Sequence, residues 1–331
     1  MTKLSIIIPV YNAAPTLERS IQSCLMLREE LGGEVELLIV DDCSTDLSYQ
    51  TIRAFEESES GITSFQTKEN GGPGVARNVA LEYLEHRNTD YVGFLDADDE
   101  IIPEGYAHAF LEGVGKNAEI IIHNGQVNRN GEAIPKYDHN RLTTSKNALT
   151  RKCLRGELDG SVIFSNFQHR YTRRISMSFR SGYYEDIAFQ HLHLIRATHR
   201  HYGEEYGYLK NNRSESIVNT ISKLHIDGLL LAFNDVYKSI KSLGLDLYPE
   251  FENDASYGMH GMVGRLIMDI LKLSSETDKV SLLRYLQYVA LDKFALDSFV
   301  PREKTTRDRA TQKLFSFRTK LIDKSDIVTV S

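Results

Sequence analysis

Three carboxylates fall within four residues at Asp96, Asp98 and Asp99, with Glu100 next in line. Like charges this close repel, and each raises the pKa of the others unless something compensates. A divalent cation is the natural compensator. Mg²⁺ and Mn²⁺ prefer oxygen ligands, and Mg²⁺ sites take one or two carboxylates together with substrate phosphates. An acidic pair with such a cation suits a nucleoside diphosphate. Taken alone, the cluster reads more readily as a solvated acidic turn that also caps the helix after Pro103. A second acidic group, Asp41-Asp42, can accept a hydrogen bond from a base N–H or a ribose hydroxyl, with Asp41 preferred for ligand contact and Ser44, Thr45 and Asp46 for capping the next helix. A third segment, 70–78, is a glycine-rich entry to a helix that offers backbone N–H groups and a positive helix end to an anion, with Arg77 one turn further in. It has neither the G-x-G-x-x-G pattern nor the lysine of a P-loop, which disfavours dinucleotide and ATP binding.

The elements around these residues tell the acidic turn apart from an ordinary one. Apolar, β-rich runs at 4–10, 36–40, 63–67, 91–95 and 119–123 read as strands. Amphipathic stretches at 16–31, 48–57, 74–85 and 103–114 read as helices between them. Strand and helix alternate, so the expected fold class is α/β: a mostly parallel sheet with helices on both faces. Tyr11-Asn12, Asp41-Asp42 and Asp96–Asp99 each follow directly on a strand. Open α/β sheets bind ligands at those carboxyl ends, so three strand ends point to one site.

Composition narrows the class further. The chain has 331 residues, a hydrophobic fraction of 41% and a net charge of −7. That is long and apolar enough for a catalytic domain with a smaller second unit. The negative balance argues against general nucleic-acid binding, which needs a basic surface. Three cysteines, Cys24, Cys43 and Cys153, are too few and too scattered for a disulfide framework or a zinc knuckle. The N-terminus runs straight into a strand without a leader pattern, and no run approaches the ~20 apolar residues of a spanning helix. The expected location is cytoplasmic, or peripheral on the inner face of the cell membrane.

The segments Leu4-Ser-Ile-Ile-Ile-Pro-Val-Tyr-Asn12, Leu38-Ile-Val-Asp-Asp-Cys-Ser-Thr-Asp46, Gly74-Val-Ala-Arg-Asn78 and Phe94-Leu-Asp-Ala-Asp-Asp99 resemble the ordered signature of the family 2, GT-A-fold inverting glycosyltransferases of bacterial cell-surface glycan synthesis. The resemblance covers about the first 125 residues. It implies a nucleotide-sugar donor, usually a UDP-sugar, with Mn²⁺ or Mg²⁺, and a glycan or lipid-linked acceptor. It implies Pro9, Tyr11 and Asp41 at the nucleotide, Arg77 near the base and diphosphate, Asp96 near ribose and metal, and Asp98 as principal metal ligand. Cys43 departs from the family's usual glycine; a small residue is expected to be tolerated there, with no redox role. Tyr183-Tyr-Glu-Asp-Ile-Ala-Phe189 resembles the family's Glu-Asp motif, which makes Asp186 the candidate base and Glu185 its assistant. The same two acids would also suit the first turn of any helix. The segment 206–217 loosely resembles the one that closes over the diphosphate, where Lys210 or Arg213 would clamp phosphate.

The domain boundaries expected are 1–220 for the GT-A catalytic domain and 221–331 for a C-terminal helical region. Within the catalytic domain, residues 1–125 would bind the nucleotide and 126–220 would form the acceptor side. Ile226, Leu229, Leu230, Phe233, Val236, Tyr237 and Ile240 share one helical face, and Met259, Met262, Val263, Leu266, Ile267 and Ile270 another. Further helices are expected at 279–297 and 305–322. These helices could form a homodimer, and the basic stretch 302–324 could rest on anionic lipid. Two competing functions carry less support. A sugar nucleotidyltransferase would place a glycine-rich basic loop after the first strand, where this chain has Tyr11-Asn12-Ala13-Ala14. A non-catalytic nucleotide-sugar-binding module would not need Asp96, Asp98 and Asp186 together.

Overall fold

A computed structural model describes residues 2–138, 145–175, 178–211, 221–247 and 249–290. In chain order the elements are β1 (Leu4–Val10), α1 (Ala14–Glu30), β2 (Val35–Asp41), α2 (Ser48–Ser58), β3 (Ile62–Gln66), α3 (Pro73–Leu84), β4 (Tyr91–Phe94), β5 (Glu100–Ile101) and α4 (Pro103–Gly115). There follow β6 (Ile120–Arg129), β7 (Glu132–Tyr137), α5 (Lys146–Leu154), a short 3₁₀ turn at Val162–Phe164, β8 (Ser165–Gln168), α6 (His169–Ile175), α7 (Asp186–Arg196) and β9 (Arg200–Asn211). Three helices complete the described chain: α8 (Lys223–Ser242), α9 (Phe251–Leu271) and α10 (Glu276–Tyr288). Two compact units result, Met1–Thr144 with Gly160–Ser214, and Ser145–Asp159 with Glu215–Ser331.

The first unit is built on one sheet, with strand order β3-β2-β1-β4-β8-β6-β9-β5 and β7 paired to β6. The half β3-β2-β1-β4 is parallel, as the strand–helix alternation requires. Beyond β4 the sheet is mixed: β8 runs antiparallel to β4 and β6, β9 runs parallel to β6, and β5 runs antiparallel to β9. Every residue of β1 is buried. Its largely apolar run, interrupted only by Ser5, is the signature of a central strand covered on both faces. Proline inside such a strand needs an explanation. Ile7 accepts from Leu95 N–H on the β4 side, and Val10 from Asp42 N–H on the β2 side. By alternation Pro9 turns its nitrogen toward β4, past the last β1–β4 pair, Ile7 with Phe94. The proline thus lies beyond the β1–β4 ladder, while the pairing of β1 with β2 continues through Val10 and Asp41.

The second unit is helical among the described residues. On α8 the buried stripe Ile226, Leu229, Leu230, Phe233, Val236 and Ile240 follows the expected face. Tyr237 is only half-buried and its hydroxyl donates to Glu252 at 3.2 Å. On α9 the carboxylate of Asp254, 2% exposed, accepts from Arg151 Nε at 2.8 Å and Arg155 Nη1 at 3.1 Å, joining it to α5. A Cβ added at Gly258 would stand 1.7 Å from the Leu154 carbonyl, so glycine permits that approach. The expected helix at 305–322 and the basic stretch 302–324 lie outside the described residues. Among the described residues, no helix is long and apolar enough to cross a membrane.

Candidate active site

The acidic turn leaves β4 and is held by its carbonyls from α1. Thr16 Oγ1 donates to Ala97 O at 3.0 Å, Arg19 Nη2 to Asp98 O at 3.0 Å, and Ser20 Oγ to Asp99 O at 2.7 Å. Main-chain anchoring of this kind fixes the turn without occupying its carboxylates. Asp96, Asp98 and Asp99 consequently bring one oxygen each within 4.8 Å of one another.

Their environments differ. Asp99 is 1% exposed. One of its oxygens accepts from Tyr208 Oη at 2.8 Å and the other from Asn211 N at 2.7 Å, with Lys210 Nζ 3.8 Å away. Burial drives its pKa upward; Lys210 opposes this, and Asp96 and Asp98 add to it, leaving the carboxyl at about 7. Asp99 is thus the carboxylate that anchors the turn to β9, while Asp96 and Asp98 remain half-buried. Lys210 feels burial in the opposite direction, but Asp99 and Asp96 outweigh it and hold the ammonium protonated. Asn211 Nδ2 closes the arrangement by donating to Asp98 O and Glu100 Oε1, both at 3.0 Å. Tyr208 and Asn211 are absent from the sequence-derived site. The one signal for Tyr208 is its two-residue spacing from Lys210, which puts both on the same face of β9.

Arg77 is where the structure adds most. Its guanidinium is 3% exposed. Nη2 donates to Asp96 Oδ1 at 2.8 Å and Nη1 to Glu185 Oε1 at 2.5 Å. Burial works against its charge, yet Asp96, Glu185 and Asp186 more than offset this and hold it protonated. The expected diphosphate-facing arginine is in this state a bridge between two carboxylates. Glu185, 7% exposed, is the residue just before α7, and Asp186 is the first residue of that helix and half-buried. The Glu-Asp motif is therefore fixed beside the acidic turn across 108 residues of sequence.

Closeness of α3 to this motif depends on Gly74, where a Cβ would stand 2.4 Å from Arg180 O and 2.7 Å from Glu185 Cγ. Tyr184, immediately before the motif, has φ of 58°, a left-handed conformation costly for a tyrosine.

On the nucleotide side, Tyr11 is 49% exposed just past β1. Asp41, at the end of β2, is fully buried. Its Oδ2 accepts from Gln66 Nε2 at 3.0 Å and Ser44 N at 3.3 Å. Its Oδ1 has no partner among the described residues. An orphaned buried acceptor costs about 1–3 kcal/mol. Asp42 ties down the glycine-rich loop by accepting from Gly71 N, Gly72 N and Thr67 Oγ1. The capping expected of Ser44 and Thr45 is corrected, while Asp46 does accept from the first N–H of α2, that of Ser48. Ser44 Oγ accepts from Asn12 N, Thr45 N donates to Asn12 Oδ1, and Asp46 accepts from Ala14 N as well as Ser48 N. These bonds join the loop after β1 to the loop after β2. Arg213 lies outside the described residues.

Cys43 explains its own oddity. Its φ is 62°, in the left-handed region that favours glycine. A non-glycine residue there costs about 1–2 kcal/mol, against about 0.5–1 kcal/mol of extra chain entropy lost by glycine on folding. Cys43→Gly is therefore expected to raise thermal stability by a degree or two, as read from the melting midpoint. An unchanged or lower midpoint would mean that the thiol packing, including the 3.9 Å contact with Lys68 O, outweighs the backbone strain.

The family model described as glycosyl transferase family 2 matches residues 5–177, just over half of the chain. An uncharacterized glycosyltransferase of Haemophilus influenzae is 41% identical over 101 residues, 30% of this chain and 38% of that protein. The chain thus spans little more than a third of that relative's length, as it does for a second relative, at 36%. The poly(ribitol-phosphate) β-N-acetylglucosaminyltransferase TarP of Staphylococcus aureus is 23% identical with 100% of this chain and 98% of that protein aligned. Among solved structures, S. aureus TarS 1-349 in complex with UDP superposes with a TM-score of 0.67, at 18% identity, over 95% of this chain and 88% of the other. At that identity the likeness is one of fold.

Proposed function

The chain belongs to glycosyl transferase family 2, and from that premise we propose that it is an inverting transferase that moves a sugar from UDP to a hydroxyl of a cell-surface glycan or lipid-linked acceptor. The observation that carries this reading is the Arg77 bridge. It joins an all-oxygen acidic cluster at the carboxyl edge of the sheet to a helix that begins with a half-buried carboxylate.

The donor set fits Mn²⁺ or Mg²⁺: Asp96 and Asp98 are half-buried carboxylates that bring oxygens together within one acidic cluster, and hard cations take such oxygens. Asp96 and Asp98 hold the cation in this reading, which when bound would neutralise charge on the departing diphosphate. Lys210 adds a fixed positive charge beside the same group. Pro9 and Tyr11 line the nucleotide, and the orphaned Oδ1 of Asp41 is an acceptor suited to an N–H of uracil. Asp186 takes the proton from the acceptor hydroxyl, whose oxygen attacks the anomeric carbon as the bond to the diphosphate oxygen breaks. Attack opposite the leaving group inverts the configuration. Glu185 cannot share the base role while it is buried against Arg77; it orients.

TarP and TarS bear the name poly(ribitol-phosphate) β-N-acetylglucosaminyltransferase. UDP-N-acetylglucosamine is accordingly the first donor in our reading, and a polyol-phosphate chain the first acceptor. Calorimetry with UDP is expected to show binding at least tenfold tighter with Mn²⁺ than with EDTA. Absence of metal-dependent UDP binding would overturn the reading. A screen of UDP-sugars for UDP release would then identify the donor.

A further inference from the structure

Asn78 lies on α3 one residue beyond Arg77 and has no place in the chemistry described above. Both polar atoms of its amide are nevertheless committed to a single distant residue. Nδ2 donates to Phe179 O at 2.9 Å, and Phe179 N donates to Oδ1 at 2.9 Å, across 101 residues of sequence. A side-chain amide paired on both edges with one residue's main chain fixes that residue in position and in rotation.

Phe179 transmits this restraint. Its ring is stacked on Phe189 of α7, with centroids 4.2 Å apart and planes 9° apart. Its edge contact with Phe94, the last residue of β4, has a centroid distance of 5.3 Å. The Arg77 guanidinium sits 5.4 Å from the same ring's centroid. Phe179 therefore touches the strand that carries the acidic turn, the helix that carries Asp186 and the cation that bridges them. From Phe179 the chain runs only six residues to Glu185, passing Arg180, whose carbonyl abuts Gly74.

We propose that Asn78 is a positioning residue for Asp186: by clamping the Phe179 main chain to α3 it sets the start of α7 relative to Asp96 and Arg77. This rests on Asp186 being the base. The clamp bears chiefly on the acceptor side of the reaction, because the main chain it fixes, at Phe179, leads within six residues to Glu185 and α7. Near-attack geometry is steep: a displacement of about 1 Å costs on the order of 100-fold in rate. Loss of the clamp should thus act on kcat and not on donor binding.

The test uses the full chain with Mn²⁺ and whichever UDP-sugar the wild type turns over. Asn78→Leu, close in volume but unable to make either bond, is expected to lower kcat at least tenfold. Its donor KM, and its Kd for UDP by calorimetry, should stay within twofold of wild type. Asn78→Ser, which keeps a hydroxyl able to donate or accept, should recover some of the loss. Hydrogen exchange of both variants should rise in 178–190 and stay unchanged in 91–101, a measurement that does not depend on turnover. Wild-type kcat in a folded Asn78→Leu protein would overturn the proposal. So would a loss of UDP affinity equal to the loss of rate, which would put Asn78 on the nucleotide side. A wild type that binds UDP but releases none from any UDP-sugar would instead overturn the transferase reading, and this inference with it.

Discussion

Arg77→Lys is expected to lower transfer by about 100-fold while leaving the protein folded. The reason is geometric. The guanidinium presents two terminal nitrogens in a rigid fork, one at 2.8 Å from Asp96 and the other at 2.5 Å from Glu185. An ammonium on a shorter, flexible stem is a point charge and cannot hold two carboxylates on opposite sides at those distances. One of them is released, and either outcome damages the site: a free Asp96 changes the acidic cluster, and a free Glu185 loosens the start of α7. The charge is retained, so the full penalty of an unpaired buried carboxylate is avoided. Arg77→Met removes that protection and should cost about 3–5 kcal/mol in urea unfolding, because Glu185 is buried without a partner. Comparing the two by steady-state kinetics and by denaturation separates the bridge from mere charge. Arg77→Lys with wild-type turnover would show that the bridge does not set the reactive geometry.

The Arg77 bridge also marks the limit of what the sequence discloses. β1, β2 and β4 are legible because short, largely apolar runs end in polar turns, as strands buried on both faces do. The acidic turn is legible because its three carboxylates are nearly contiguous. β5 is not, since its two residues become a strand only by pairing with Leu209 and Tyr208. β9 is obscured by Glu204 and Glu205, exposed residues in the middle of a strand that is buried at Tyr208. Arg77 and Glu185 are each recognisable as site residues, but their pairing spans 108 positions and no local period encodes it. The same holds for Asn78 and Phe179. Contacts of this kind depend on strand order, in particular on β8 lying beside β4 and bringing the following segment against α3. The positive φ at Cys43 is foreshadowed by the departure from glycine, and only the backbone reveals its cost.

Asp186→Asn is expected to reduce kcat by roughly 10²–10⁴-fold, the contribution of a well-placed general base, with the UDP Kd in Mn²⁺ unchanged. Of the two acids in the Glu-Asp motif, Glu185 is 7% exposed and bonded to Arg77, whereas Asp186 is half-buried and heads α7. The second is thus the more accessible to solvent. The amide is nearly isosteric and remains a good residue at a helix start, so the main structural loss is the charge–dipole attraction, about 0.3–1 kcal/mol. The fold should therefore survive and the result report chemistry. Arg77, whose protonation Asp186 supports, keeps Asp96 and Glu185 as partners in the variant. The decisive comparison is between binding and turnover in one preparation: UDP held as tightly as by wild type, with transfer lost. Full turnover in Asp186→Asn would remove it as the base, and with Glu185 committed to Arg77 the proton acceptor would have to come from elsewhere in the chain or from the acceptor itself.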